Sequence, residues 1–231
     1  MAGDQLMALL GELQRVFENT YDRAAGVDLE ACVVGPRRCA ELVARSTGPG
    51  AEEMSGWARF FYYLDGPDLR LALFFADEMI AALEAADPRR AISESNVLPF
   101  LILAEEASHA LHTTFAFDEG GAERVRGEAF LAELELLARI DAYLLLRHFV
   151  AAHAGALSPS DRRWIRHQAI ERWDVAYDDP RLESRYRSAA RHAAAFVDRL
   201  DSLGPDDRIA ELRRFRRLPR GSKFARIESG G

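Results

Sequence analysis

With 231 residues, 48% of them hydrophobic and 29% charged, the chain is long enough to bury a sizeable core as one domain. No stretch reaches the roughly eighteen uninterrupted apolar residues that a membrane span needs, so no membrane-spanning segment is expected. The net charge is -7. Cys32 and Cys39 match neither a redox pair nor a zinc ribbon, and the N-terminus lacks the basic character of a signal peptide, so a cytoplasmic location is expected.

The first third of the chain contains two helical patterns and one strand pattern. Residues 4–21 place leucine, valine and phenylalanine at helical spacing, and Pro36 suits the first turn of a second helix. Gly48, Pro49 and Gly50 predict a loop. Two aromatic and leucine-rich runs flank a turn at residues 65–68, which favours a small β-hairpin near residues 58–75, with two short helices as the alternative.

The rest of the sequence reads as helix, with Asn96 as a cap and Gly120 and Gly121 as a break. The predicted helices cover residues 76–86, 97–117, 121–152, 160–178, 181–202 and 206–217. The fold class is therefore mainly α, with a single helical domain over residues 1–205 and a basic C-terminal helix and tail over residues 206–231.

The helix predicted at residues 97–117 places charged side chains in an apolar segment. At about 100° per residue, Glu105, His109 and His112 share one stripe of this helix. Most other positions around it are apolar, which is typical of a buried helix. An ionised carboxylate buried without a partner is costly, so Glu105 and Glu106 need a metal ion, arginine or histidine partners, or protonation.

The segment EEASH, residues 105–109, resembles the H-E-x-x-H active-site helix of the zincin metallopeptidases. The resemblance implies that Glu106 is the general base, that His109 is a metal ligand, and that Glu105 replaces the first histidine ligand. It also implies a divalent metal, zinc in the first place, whose bound water attacks a carbonyl of a peptide or small-molecule substrate. The carboxylate ligand is compatible with iron or manganese as well.

The gluzincin branch of that family takes its third ligand from a glutamate on a following helix. Glu133 is the preferred candidate, because it lies among apolar residues on the next predicted helix. Glu128, Glu135 and Asp141 are the substitutes, although an i,i+4 pair with Arg139 accounts more simply for Glu135.

Two other interpretations of the same residues remain open. Glu106 and His109 form an E-x-x-H unit like those of ferritin-like diiron or dimanganese carboxylate bundles, but the chain has no second unit. The nearest substitute is a polar stripe at His167, Glu171, Asp174 and Asp178. Alternatively, Glu105, Glu106 and His109 form a buried network with arginines in a non-enzymatic interaction protein, with candidate partners Arg124, Arg126 and Arg139.

The C-terminal tail is basic on an otherwise acidic chain. Residues 208–231 contain eight basic and two acidic side chains. This composition predicts either contact with a protein or anionic partner, or a tail that folds back on the acidic body of the protein.

Overall fold

The computed structural model describes residues 3–45, 56–172, 180–219 and 221–230 of the chain. Its elements, in chain order, are α1 (Asp4–Tyr21), β1 (Val33–Val34), α2 (Pro36–Arg45), β2 (Ala58–Asp65), β3 (Asp68–Phe75), α3 (Asp77–Ala85), α4 (Val97–Arg124), α5 (Glu128–Ala154), α6 (Pro159–Arg166), α7 (Pro180–Asp201), α8 (Pro205–Arg216) and α9 (Ser222–Glu228). The predicted mainly α fold is confirmed. Among the described residues, no helix combines the length and apolarity that crossing a membrane requires.

The two longest helices, α4 and α5, form the centre of the fold. Both are buried along most of their length, because α1, α7 and the sheet pack around them. The helix predicted at residues 97–117 continues to Arg124, with a break in helical geometry at Gly121, whose φ is 62°. Glycine reaches this left-handed region without the steric clash of a Cβ atom. The break predicted at Gly120 and Gly121 therefore interrupts α4 and does not end it.

The predicted hairpin near residues 58–75 is confirmed. Strands β2 and β3 pair antiparallel from Ala58 with Phe75 to Asp65 with Asp68, and Gly66 in the turn has a φ of 61°. The two-residue strand β1, which the sequence did not predict, adds to β3 in parallel and gives the order β1-β3-β2. The sheet packs on α4, so it covers one side of the central helices.

Helix α6 is followed by a short π-helical segment, residues 167–171, where a continuous α-helix was predicted. Asp174 and Asp178 of the predicted polar stripe, and the predicted loop at residues 48–50, lie outside the described residues.

The basic tail folds back on the acidic body. Arg216 on α8 forms an ion pair with Glu119 at 2.8 Å, and Lys223 on α9 forms one with Glu133 at 2.7 Å. Lys223, the one lysine in the sequence, is only 1% exposed. Ion pairs between opposite charges thus link α8 to α4 and α9 to α5, while α8 packs on α1 and α7 and α9 packs on α7.

Candidate metal centre

Three potential metal ligands converge between α4 and α5. Glu105 and His109 project from α4, and Glu135 projects from α5. One ligand atom from each residue lies within 4.8 Å of those of the other two. Among the described residues, this is the one group of at least three His, Cys, Asp or Glu side chains with such a separation.

Helix packing brings these residues together in a regular way. On α4, Glu105 and His109 are one turn apart, and on α5, Glu135 and Arg139 are one turn apart. Nε2 of His109 lies 3.7 Å from Oε2 of Glu135, and Oε1 of Glu105 lies 4.0 Å from Nη2 of Arg139. The two helices therefore run in opposite directions at this point and align two i,i+4 pairs with each other.

The group is charged and largely removed from water. Burial disfavours the protonated form of His109, but the charge of Glu135 and the proximity of Glu106 outweigh burial and raise the His109 pKa well above its ordinary value. Burial raises the pKa of Glu105, and the nearby charge of Arg139 offsets only part of this rise. Glu135 is also subject to burial, but the charges of His109 and Arg139 lower its pKa. The protonated form of His109 is thus favoured between the carboxylates of Glu106 and Glu135.

The donor set suits a divalent transition metal. Imidazole nitrogen and carboxylate oxygen both bind zinc, iron and manganese. In a tetrahedral zinc site, neighbouring ligand atoms are about 3.4 Å apart, so the present separations of up to 4.8 Å require the side chains to close by up to about 1.4 Å. Nε2 of His109 and Oε2 of Glu135 are both buried and lack a hydrogen-bond partner among the described residues. A metal ion bound by both atoms would compensate for these missing hydrogen bonds.

Glu133, the preferred third ligand, lies outside this group. Its Oε1 accepts hydrogen bonds from Nη2 of Arg124 and Nζ of Lys223, both at 2.7 Å. Burial alone would raise the pKa of Glu133, but these two cations lower it. The cost of burying Glu133, whose predicted burial suggested a metal ligand, is thus compensated by Arg124 and by Lys223 of the tail.

The other substitutes lie elsewhere. Asp141 is buried, and it accepts hydrogen bonds from the hydroxyl groups of Tyr21 and Ser108. Nε2 of His112 lies 2.7 Å from Oδ2 of the same carboxylate, which places His112 in this second cluster and not with His109. The side chain of Glu128 is 72% exposed.

The structure brings together only some of the residues that the carboxylate-bridged metal site and the buried arginine network would require. His167 and Glu171 face solvent, with side chains 58% and 52% exposed, so their positions resemble a solvated helix face. Of the candidate arginine partners, Arg139 lies beside Glu105, Arg124 binds Glu133, and Arg126 binds the exposed Glu123 on the surface.

Periodicity alone did not favour Glu135 as a site residue. Its stripe on α5 was assigned to an ion pair with Arg139, and the structure shows that this stripe faces Glu105 and His109. Two i,i+4 polar pairs of complementary charge on consecutive apolar helices were the available signal. The rotation of each helix about its axis, which decides which stripes meet, depends on the packing of the whole domain.

Comparisons with known proteins do not assign the chain to a family. No family model matches it, and no curated protein and no solved structure is detectably similar to it.

Proposed function

We propose that this protein binds one divalent transition metal ion through Glu105, His109 and Glu135. The observation that carries the proposal is the convergence of these three side chains from two helices, with ligand atoms within 4.8 Å of one another. The resemblance of EEASH to the zincin helix supports the two α4 ligands, and the packing of α5 supplies the third.

The proposed reaction is hydrolysis of an ester or amide bond. Glu105, His109 and Glu135 would hold the ion, and a catalytic zinc held by three protein ligands would supply an activated water, with a pKa of about 7, for the attack on the carbonyl. The side chains of Glu105 and His109 retain 14% and 13% of their exposure. The role of Glu106 as general base stays a prediction from the sequence resemblance.

Unfolding in urea with and without Zn²⁺, Mn²⁺ or Fe²⁺ tests the metal site. A metal that binds only the folded chain adds about 2.7 kcal/mol to the free energy of unfolding at a concentration 100-fold above Kd. We expect this gain in the wild type and its loss in Glu135→Gln. Glu171→Gln is the matched control, because Glu171 is an exposed helical glutamate. No gain with any of these metals, or an equal gain in Glu135→Gln, would contradict the proposal.

The hydrolytic activity requires a separate assay. Turnover of ester and amide substrates should depend on the added metal and disappear in Glu135→Gln. If the protein binds metal but hydrolyses neither substrate class, the metal site is supported and the proposed hydrolytic reaction is contradicted.

A structural network is the second candidate function, and the position of Arg139 favours it. Nη2 of Arg139 lies 4.0 Å from Glu105, and its charge offsets part of the cost of burying that carboxylate. In this case Glu105, His109 and Glu135 hold α4 against α5 without an ion. Removing His109 would then destabilise the protein equally in the presence and absence of metal.

A further inference from the structure

The imidazole of His109 lies between two carboxylates that approach its two nitrogens. Nε2 faces Oε2 of Glu135 at 3.7 Å, and Nδ1 faces Oε2 of Glu106 at 3.8 Å. The two nitrogens are on different edges of the ring, so each faces a different carboxylate. Nε2 is on the side of the proposed ligand Glu135, and Nδ1 is left to Glu106.

Glu106 is close to His109 but does not belong to the group of ligands. The three residues whose ligand atoms lie within 4.8 Å of one another are Glu105, His109 and Glu135. The Glu106 residue is 8% exposed, and its Oε2 has no hydrogen-bond partner among the described residues. A buried carboxylate oxygen in this position needs a donor, and among the described residues the ionisable nitrogen found within 4 Å of it is Nδ1 of His109.

The surroundings limit the orientation of the His109 ring. Glu106 and His109 are three residues apart on one helix, so the backbone of α4 fixes their spacing. The ring of Phe60 on β2 lies against the His109 ring, with centroids 6.3 Å apart and an interplanar angle of 33°. The hairpin therefore covers His109, while Glu106 contacts one edge of the ring.

From this geometry, and resting on the proposed metal site, we infer that Glu106 is a positioning residue that accepts a hydrogen bond from Nδ1–H of His109 and directs Nε2 to the metal. Histidine ligands generally donate their second ring N–H to a carboxylate, a carbonyl or a water molecule, which fixes the tautomer and makes the ligand more basic. This role differs from that of a general base, which must reach the metal-bound water.

The two roles predict different properties for variants of Glu106. Loss of a carboxylate that orients a histidine ligand typically weakens metal binding by about 10- to 100-fold. We expect a loss of that size in Glu106→Ala and a smaller one in Glu106→Gln, whose amide oxygen still accepts a hydrogen bond from Nδ1–H. A general base, in contrast, leaves the affinity for metal unchanged in both variants and affects turnover alone.

Titration of the full chain with Co²⁺ tests this inference. Calorimetry gives the affinity of the wild type, Glu106→Gln and Glu106→Ala, with Glu171→Ala as the control on an exposed glutamate. Proton NMR of the Co²⁺ form reports the Nδ1–H of His109 as a shifted, exchangeable signal. We expect that signal to exchange slowly in the wild type and faster in Glu106→Ala. Unfolding curves of the metal-free variants separate a change in affinity from a change in folding.

The outcomes distinguish this inference from the proposed function. Equal Co²⁺ affinity in the wild type and both Glu106 variants, with unchanged exchange of the Nδ1–H signal, overturns the positioning role and leaves the metal site intact. Absence of Co²⁺ binding to the wild type overturns both. A graded loss of affinity from wild type to Glu106→Gln to Glu106→Ala, with Glu171→Ala unchanged, supports both.

Discussion

The buried ion pair between Lys223 and Glu133 gives the sharpest prediction for stability. Each side chain is nearly inaccessible, with exposed fractions of 1% for Lys223 and 6% for Glu133. Glu133 has a second cation, Arg124, at 2.7 Å, whereas among the described residues the further partner of Lys223 is the Leu218 carbonyl, at 3.1 Å. Lys223 therefore depends on Glu133 for compensation of its charge more than Glu133 depends on Lys223.

This asymmetry sets the expected magnitudes. Removing one partner of a buried ion pair costs about 3–5 kcal/mol when the remaining charge is left without compensation. Glu133→Gln leaves Lys223 in that situation, so we expect a loss of this size. Lys223→Met leaves Glu133 paired with Arg124, so we expect a smaller loss, about 1.5–3 kcal/mol, the contribution of a hydrogen bond to a charged group.

Urea unfolding at neutral pH measures both losses of unfolding free energy. An unchanged slope of that free energy against urea concentration checks that the variants unfold in the same transition as the wild type. The double variant Glu133→Gln/Lys223→Met should be more stable than Glu133→Gln alone, because it removes the uncompensated ammonium group. A larger loss in Lys223→Met than in Glu133→Gln, or a double variant that shows the sum of both losses, would refute this reasoning.

Three further predictions follow from the buried groups. Because the pKa of Glu133 is lowered on folding, its contribution to stability is complete above its ordinary pKa of about 4.3 and is lost as the pH falls through the lowered value; acid unfolding of Glu133→Gln should lack this component. Because the pKa of His109 is raised, a metal must displace a proton from Nε2, so affinity measured by calorimetry should increase with pH and level off above that pKa. Tyr21→Phe removes a donor from buried Asp141 and should cost about 1–3 kcal/mol in thermal or urea unfolding, whereas Tyr63→Phe, at a position 41% exposed, should cost far less; equal losses would contradict the importance of the Asp141 cluster.

Local patterns in the sequence predicted much of the fold. The predicted helix at residues 4–21 matches α1, and the aromatic runs around residues 65–68 match β2 and β3. Both depend on spacing within one segment, which hydrophobic periodicity records directly. Strand β1 was missed, because two residues carry no periodic pattern and pair only through a distant strand.

The group of residues at the candidate site was predicted only in part. Glu105 and His109 share a stripe of one helix, and the structure keeps them together. The choice between Glu133 and Glu135 could not be made from α5 alone, since both are buried. The compensating charge on Glu133 comes from Lys223, 90 residues further along the chain. Only tertiary packing shows which buried carboxylate faces a cation of the protein and which faces His109.

The most direct test of the central claim is the metal content of the purified 231-residue chain. The wild type, His109→Ala and His167→Ala would be reconstituted with zinc, manganese or iron, dialysed against a weak chelator and measured by elemental analysis. His167 is the matched control, because its side chain is 58% exposed and distant from Glu135 in the chain. We predict a single retained ion per chain in the wild type and His167→Ala, and its loss in His109→Ala. No retained metal in the wild type, or equal retention in His109→Ala, would contradict a metal centre at Glu105, His109 and Glu135.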